Sequence, residues 1–142
     1  MLAHNLLTVQ KSQTTKTLYS LYAWGDNSLG QYGSNGYITN SAPSLVSSSW
    51  TQIVSGLNHA LALNSNGLLF AWGTNPSGTL GTGDTVNRSS PVQIGSSSWT
   101  QVSAGVSFST GIRTDGGLFA WGANNRGQLG QGDTVDRSSP VQ

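Results

Sequence analysis

Cysteine and glutamate are absent from the 142 residues, and charge is scarce: six Lys and Arg against five Asp, 8% of the chain. Without cysteine there are no disulfides and no thiolate metal sites, although this does not settle the compartment. Both lysines, Lys11 and Lys16, fall in the first seventeen residues, and the rest is close to neutral. No long-range field gathers phosphate, so nucleic acid is not expected as a partner. No apolar run approaches the roughly 18–20 residues that span a bilayer. The start, Met1 to Lys11, has neither a basic region nor a sustained apolar run, so it does not read as a signal peptide. Apolar residues never recur at helical spacing over three turns. Histidine occurs only at His4 and His59, and one His beside scattered Asp has no metal-ligand spacing. No nucleophile, base or metal set is visible, so no catalytic residue, metal or cofactor is expected.

What the chain does have is repetition. Residues 68–93 recur almost letter for letter at 117–142, and a looser copy starts at Leu21. The tryptophans of Ala-Trp-Gly are Trp24, Trp72 and Trp121, a step of 48 and then 49 residues. Pro43, Pro91 and Pro140 each follow their tryptophan by 19 residues, and Gly73 and Gly122 close the second and third motifs. A second marker alternates with the first: Ser47-Ser-Ser-Trp50-Thr-Gln returns as Ser96-Ser-Ser-Trp99-Thr-Gln. Disorder would share the Gly, Ser, Thr and Asn richness but not five Trp, four Tyr and three Phe in register. A period of this length is one supersecondary unit that cannot bury its apolar face without neighbours.

Within Trp50–Gln93, Trp50 to Val54 reads as a strand, His59 to Leu63 as a second, and Leu68 to Trp72 as a third. Asn64-Ser-Asn-Gly67 is the turn between the last two, because Asn and Gly accept the positive φ of tight hairpins. Thr74 to Ser90 is broken by Pro76, Gly78, Gly81 and Gly83 and reads as a long loop. Pro91 to Ile94 is a fourth short edge strand, with proline at its first position. Four short strands in about 49 residues match one propeller blade. Ala60, Ala62, Ala71 and Ala120 suit crowded inner strands, with Trp and Leu filling the space between blades. The fold class is all-β, a β-propeller.

These residues resemble the regulator of chromosome condensation repeat family. Leu118-Phe-Ala-Trp-Gly-Ala-Asn-Asn-Arg-Gly-Gln-Leu-Gly-Gln-Gly-Asp133 matches the first part of that family's unit, and Val54-Ser-Gly-Leu-Asn-His59-Ala-Leu-Ala-Leu63 matches the second. The resemblance covers Leu18 to Gln142 and implies a seven-bladed propeller, of which two and a half to three blades lie in this chain. Copies are expected at about 18–49, 50–98 and 99–142, the last incomplete. The 142 residues are therefore expected to be the N-terminal part of a longer polypeptide, with ring closure by several chains as the other route. Copy one departs from the pattern, with Tyr32 in place of Leu80 and Leu129. In copy three, Phe108 stands in place of His59.

Several residues have both a functional and a structural reading. Asp84 with Arg88, and Asp133 with Arg137, could present a recurrent binding face or could staple their own loops. The fixed register of Trp24, Trp50, Trp72, Trp99 and Trp121 assigns most of them to inter-blade core rather than to stacking platforms. His59, at a framework position, reads as a packed strand histidine. Tyr19, Tyr22, Tyr32 and Tyr37 cluster in copy one, as a contact surface or an edge cover. Gly81-Thr-Gly83 lacks the strand-to-helix context of a phosphate loop, and Asn87-Arg-Ser89 is a glycosylation sequon by pattern only. Residues 1–17 do not match the repeat. His4 to Gln10 could add a strand and Lys11 to Lys16 a polar linker, together forming a docking arm or a frayed start.

The expected function is a non-catalytic scaffold or binding module. The regular Ser-Ser-Ser-Trp-Thr-Gln spacing, low charge and lack of cysteine resemble bacterial and bacteriophage versions of the repeat. That resemblance implies a structural or attachment component of a virion (tail, fibre or decoration) or of a bacterial surface. Its partners would be protein neighbours, met through residues 1–17 among others, or a surface glycan. The alternative is a nucleotide-exchange factor or regulatory propeller acting on a small GTPase or chromatin.

Overall fold

A computed structural model describes residues 4–10 and 17–142. Every regular element among them is a strand: β1 His4–Gln10, β2 Leu18–Gly25, β3 Asn40–Ser55, β4 His59–Asn64, β5 Leu68–Gly73, β6 Arg88–Ala104, β7 Phe108–Arg113, β8 Leu118–Gly122 and β9 Arg137–Val141. The nine follow one another in sequence order, each antiparallel to the next. The β4–β5 hairpin is built as its letters require. Gly67 takes φ 76°, its N–H donates to Asn64 O at 3.0 Å, and Asn64 Oδ1 accepts from the Asn66 and Leu68 amides at 2.9 and 3.0 Å.

β3 and β6 are longer than their sequence signals. The strand expected at Pro91–Ile94 starts at Arg88 and runs without a break into the Trp99 strand. Each long run has two limbs. The first limb of β6 pairs with β5 (Gly73↔Arg88 to Leu68↔Ser98) and the second with β7 (Trp99↔Arg113 to Ala104↔Ser109). The reversal falls where a residue takes a positive φ, Gly95 in β6 (58°) and Ser49 in β3 (78°). Trp99 N donates to Gly67 O at 2.8 Å and Thr114 N to Ser98 O at 3.0 Å, so the triple-serine segment is pinned between two hairpin turns. Pro43, Pro91 and Pro140 lie inside strands rather than at their first positions. Each falls in a register shift of an outer limb, where no ladder N–H is needed.

Three units result. Unit two is the second limb of β3, β4, β5 and the first limb of β6. Unit three is the second limb of β6, β7, β8 and β9. Unit one has β1, β2 and the first limb of β3. Although His4–Gln10 has no repeat-like letters, β1 takes the ladder position of β4. His4↔Trp24 and Leu7↔Leu21 in unit one correspond to Ala60↔Trp72 and Leu63↔Leu69 in unit two. The linker expected at Lys11–Lys16 lies outside the described residues.

Apolar side chains form two clusters, each at a seam between units. Leu21 and Val46 of unit one meet Trp50, Ala60, Ala62 and Trp72 of unit two. Leu61, Leu63, Leu69, Leu80 and Ile94 of unit two meet Trp99, Val102, Phe119 and Trp121 of unit three. Trp50 packs against Trp72 with centroids 6.1 Å apart and Trp99 against Trp121 at 5.8 Å, both pairs tilted, with Phe70 and Phe119 edge-on to Trp50 and Trp99. Ala60, Ala62, Ala71 and Ala120 are all buried.

Candidate functional site

The loops split into two rims. The hairpins at 64–67 and 114–117 share one end with the β6 reversal. The loops at 56–58, 74–87, 105–107 and 123–136 share the other, joined by bonds such as Thr74 N to Asn58 O (2.8 Å) and Ala123 N to Ser107 O (2.9 Å). The second rim, here called the loop rim, carries the repeated Asp and Arg.

Each long loop is organised by a fully buried asparagine three residues after its tryptophan: Asn27, Asn75 and Asn124. Asn75 Nδ2 donates to Asp84 O at 2.9 Å and Val86 O at 3.3 Å, while its Oδ1 accepts from Leu80 N at 2.9 Å. Asn124 repeats this with Asp133 O and Leu129 N, both at 2.9 Å, and Asn27 with Gly36 O and Tyr32 N, both at 3.0 Å. One amide thus satisfies two or three backbone groups that the loop would otherwise bury unpaired. Sequence reasoning did not single these residues out, although their constant spacing from Trp was visible.

Asp84 and Asp133 finish the same loops. Asp84 Oδ1 accepts from Val86 N (3.0 Å) and Thr82 Oγ1 (2.8 Å), and Oδ2 meets Arg88 Nη2 at 2.6 Å. Asp133 pairs with Arg137 at the same 2.6 Å. The carboxylates are held below the usual range, Asp84 chiefly by the Val86 amide and Thr82 hydroxyl, Asp133 by the Val135 amide and then Arg137. Arg88 and Arg137 also donate to Val86 O and Val135 O, each at 2.8 Å. Each guanidinium thus turns back onto its own loop.

What these loops offer to solvent is apolar. At the tip of each stands Ile38 (77% exposed), Val86 (58%) or Val135 (60%). Leu29, Tyr37, Leu57 and Val106 join them, so seven of the nine exposed large hydrophobics among the described residues lie on this rim. Of the copy-one tyrosines, Tyr37 is exposed, whereas Tyr32 is 1% exposed and bonds Gly25 O. Tyr32 is core, in the place of Leu80 and Leu129.

The tryptophans are not equivalent. Trp50, Trp72, Trp99 and Trp121 are buried and Trp24 is half-buried. Trp72 Nε1 donates to Gln31 O at 3.0 Å across the first seam. Trp121 Nε1 has no partner, and the corresponding carbonyl, Thr79 O, accepts from Ser109 Oγ at 2.9 Å. Trp50 Nε1 bonds Ser47 Oγ at 2.7 Å. Trp99 Nε1 has no partner, although Ser96 stands three residues before it as Ser47 does before Trp50. Gly73 and Gly122 are required as glycine: both have φ above 100°, and a Cβ would stand 2.3 Å from Asn58 O or 2.7 Å from Phe108 Cα. His59 is 3% exposed, its Nε2 lies 3.1 Å from Ser109 Oγ, and burial pushes its pKa down to about 4. Ser109 gives its proton to Thr79 O, so neutral His59 donates from Nε2 and bridges units two and three.

No cluster of three or more His, Cys, Asp or Glu able to hold a metal exists among the described residues. No helix among them is long and apolar enough to cross a membrane. A cleft of about 490 Å³ on the hairpin rim is lined by hydroxyls and amides, including Thr51, Gln52, Asn66, Ser98 and Gln101, with Leu63 and Trp99. None of these groups ionises.

Repeated antiparallel units joined through tryptophan seams define a propeller-type repeat protein. The match to the model "Regulator of chromosome condensation (RCC1) repeat" spans residues 20–63, 66–112 and 115–142. The chain belongs to that family. Among curated proteins it is 40% identical to human Protein RCC2 over 97 residues, 65% of this chain and 17% of RCC2. It is 35% identical to the Ultraviolet-B receptor UVR8 of Arabidopsis thaliana over 79 residues, 53% of this chain and 18% of UVR8. In "Crystal structure of Kap60 bound to yeast RCC1 (Prp20)" it matches a chain with TM-score 0.75 and 20% identity, covering 88% of this chain and 34% of that one. The all-β, RCC1-propeller-like fold follows. The chain spans less than a fifth of these curated relatives.

Proposed function

We propose that this chain is a non-catalytic propeller scaffold that binds protein neighbours through the loop rim, as a structural or attachment component of a larger assembly such as a virion or a bacterial surface. One observation carries the reading: the row Ile38, Val86 and Val135 stands exposed on loops whose polar groups are bonded internally. Isolated exposed hydrophobics need no explanation, but a rim of them at repeat spacing is the signature of an interaction surface. The sparse charge supports contact by apolar packing rather than ionic steering. The relatives' names, a light receptor and RCC2, share no single activity, as expected of a module whose function lies in its surfaces. The neutral cleft beside Asn66 and Gln101 supports a second reading, a surface glycan as ligand. Quantitative mass spectrometry of purified particles or envelopes, with wild type against the Ile38→Asp, Val86→Asp, Val135→Asp triple variant, tests the main reading. Enrichment that is lost in a folded variant is expected. Equal incorporation of both, or none of either, would refute it. Nucleotide-release assays on small GTPases test the exchange-factor alternative.

A further inference from the structure

Units two and three are near copies, yet they part at the turn end of β4 and β7. Asn64 and Arg113 hold the same ladder position, opposite Trp50 and Trp99. Asn64 Oδ1 caps its own turn by accepting from the Asn66 and Leu68 amides. In unit three Asp115 does that work, its Oδ1 accepting from Gly117 N at 2.9 Å, and the freed position carries a cation. Ala62 likewise gives way to Gly111, where a Cβ would stand 2.8 Å from the Trp99 ring.

Arg113 is half-buried. Its guanidinium carbon lies 3.8 Å from the Phe119 ring centre and 5.0 Å from that of Trp99, a cation held on aromatic faces. It belongs to neither ion pair found among the described residues, and its Nε is buried without a partner. Trp99 Nε1 is in the same state. Buried donors are nearly always bonded, so two adjacent exceptions point to an acceptor supplied from outside the chain.

The hairpin-rim cleft adjoins this pair. Arg113 precedes Thr114 and pairs with Trp99, and both of those residues line the cleft. One wall is Thr51, Gln52 and Asn66 of unit two, the other Ser98 and Gln101 of unit three, so both sides of the site lie within the chain. Its 490 Å³ falls in the range of small-molecule sites, about 300–1,000 Å³.

We infer that the cleft binds a sugar bearing a carboxylate, a uronic or sialic acid, and that Arg113 selects the acid. The inference rests on a glycan occupying this cleft and adds the charge of that glycan. The sugar hydroxyls exchange hydrogen bonds with Asn66, Ser98 and Gln101. The carboxylate accepts from the Arg113 Nη groups while the guanidinium face stays on Phe119; a planar fork of N–H donors matches a carboxylate. A dianionic phosphate fits less well, because the Asp115 carboxylate stands in the same turn.

Isothermal titration calorimetry with glucuronic acid and N-acetylneuraminic acid, each against its uncharged methyl ester, tests this. The acids are expected to bind at least about tenfold tighter than the esters. Arg113→Asn, which installs the residue of unit two, should erase that difference without weakening the esters, and Gln101→Ala should weaken acid and ester alike. The Arg113 side chain makes no hydrogen bond to lose, and circular dichroism checks that both variants keep their fold. Equal binding of acid and ester, or a preference that survives Arg113→Asn, overturns the inference and leaves the glycan reading standing. Binding untouched by Gln101→Ala places the sugar outside the cleft and overturns the inference too. Binding of none of the four sugars overturns both, as does an acidic peptide that binds through Arg113 where no sugar does.

Discussion

Lowering the pH from about 7.5 to 4 will destabilise this protein through His59. In the folded chain the ring is neutral, donates from Nε2 to Ser109 Oγ, and lies buried at the seam between units two and three. A second proton would place a charge where burial has pushed the pKa from 6.5 to about 4. The unfolded chain takes up that proton near 6.5, so the stabilisation is full above 6.5, falls as the pH drops toward 4, and levels off below. At 1.36 kcal/mol per pH unit, the interval amounts to about 3 kcal/mol. Asp26, Asp84 and Asp133 are held below 3.8 by hydrogen bonds, so their stabilisation is lost only at pH lower still. His59→Phe is the matched perturbation, because Phe108 occupies the equivalent site in unit three, against Gly105 as His59 lies against Gly56. The variant gives up one hydrogen bond, about 1 kcal/mol at neutral pH, and should lose most of the slope between pH 6.5 and 4. Urea unfolding followed by tryptophan fluorescence at half-unit pH steps measures both proteins, and His4, common to the two, cancels in the difference. Parallel pH profiles for wild type and variant would refute the reasoning.

Three further predictions concern the repeat's scaffold. Asn75→Ala leaves Leu80 N and the Asp84 and Val86 carbonyls without their partner and should cost about 2–4 kcal/mol in thermal unfolding, with Asn124→Ala close behind. Gln52→Ala breaks the paired bonds to Val102 O (2.8 Å) and Val102 N (3.1 Å) across the second seam and should cost about 1–2 kcal/mol; the same change at exposed Gln101 should cost about 0.5 kcal/mol or less. Gly81→Ala drives a Cβ to 2.8 Å from the Trp121 indole, whereas Gly83→Ala meets only Ser139 Oγ at 3.5 Å. Both positions have positive φ, so their difference in chemical denaturation isolates overpacking, about 1–3 kcal/mol.

Much of the unit was legible because its signals are local. The Asn64–Gly67 turn, the small residues of β4 and the period of Trp72 and Trp121 each follow from steric or packing rules acting over a few residues. The rest depended on what lies alongside. β1 has no repeat letters, yet a ladder needs only extended backbone in the right register beside β2. Asn75 reads as one more turn residue until the loop closes over it and makes its amide a partner for buried backbone. Trp24 carries the same letters as Trp72, but a side chain is buried only when a neighbouring unit stands against it. Asp84 and Arg88 are visible as a recurrent pair, whereas the apolar tips between them gain meaning only from being gathered on one rim.

The reversal at Gly95–Ser98 has a mechanical consequence. It is a tight bend tied to a hairpin on either side, by Trp99 N to Gly67 O and Thr114 N to Ser98 O, so there is no slack between neighbouring blades. Their angular spacing is set by this bend and not by a hinge. Cargo attached at opposite ends of such a chain would be held at a fixed bearing, and force applied at one end would arrive at the other without play.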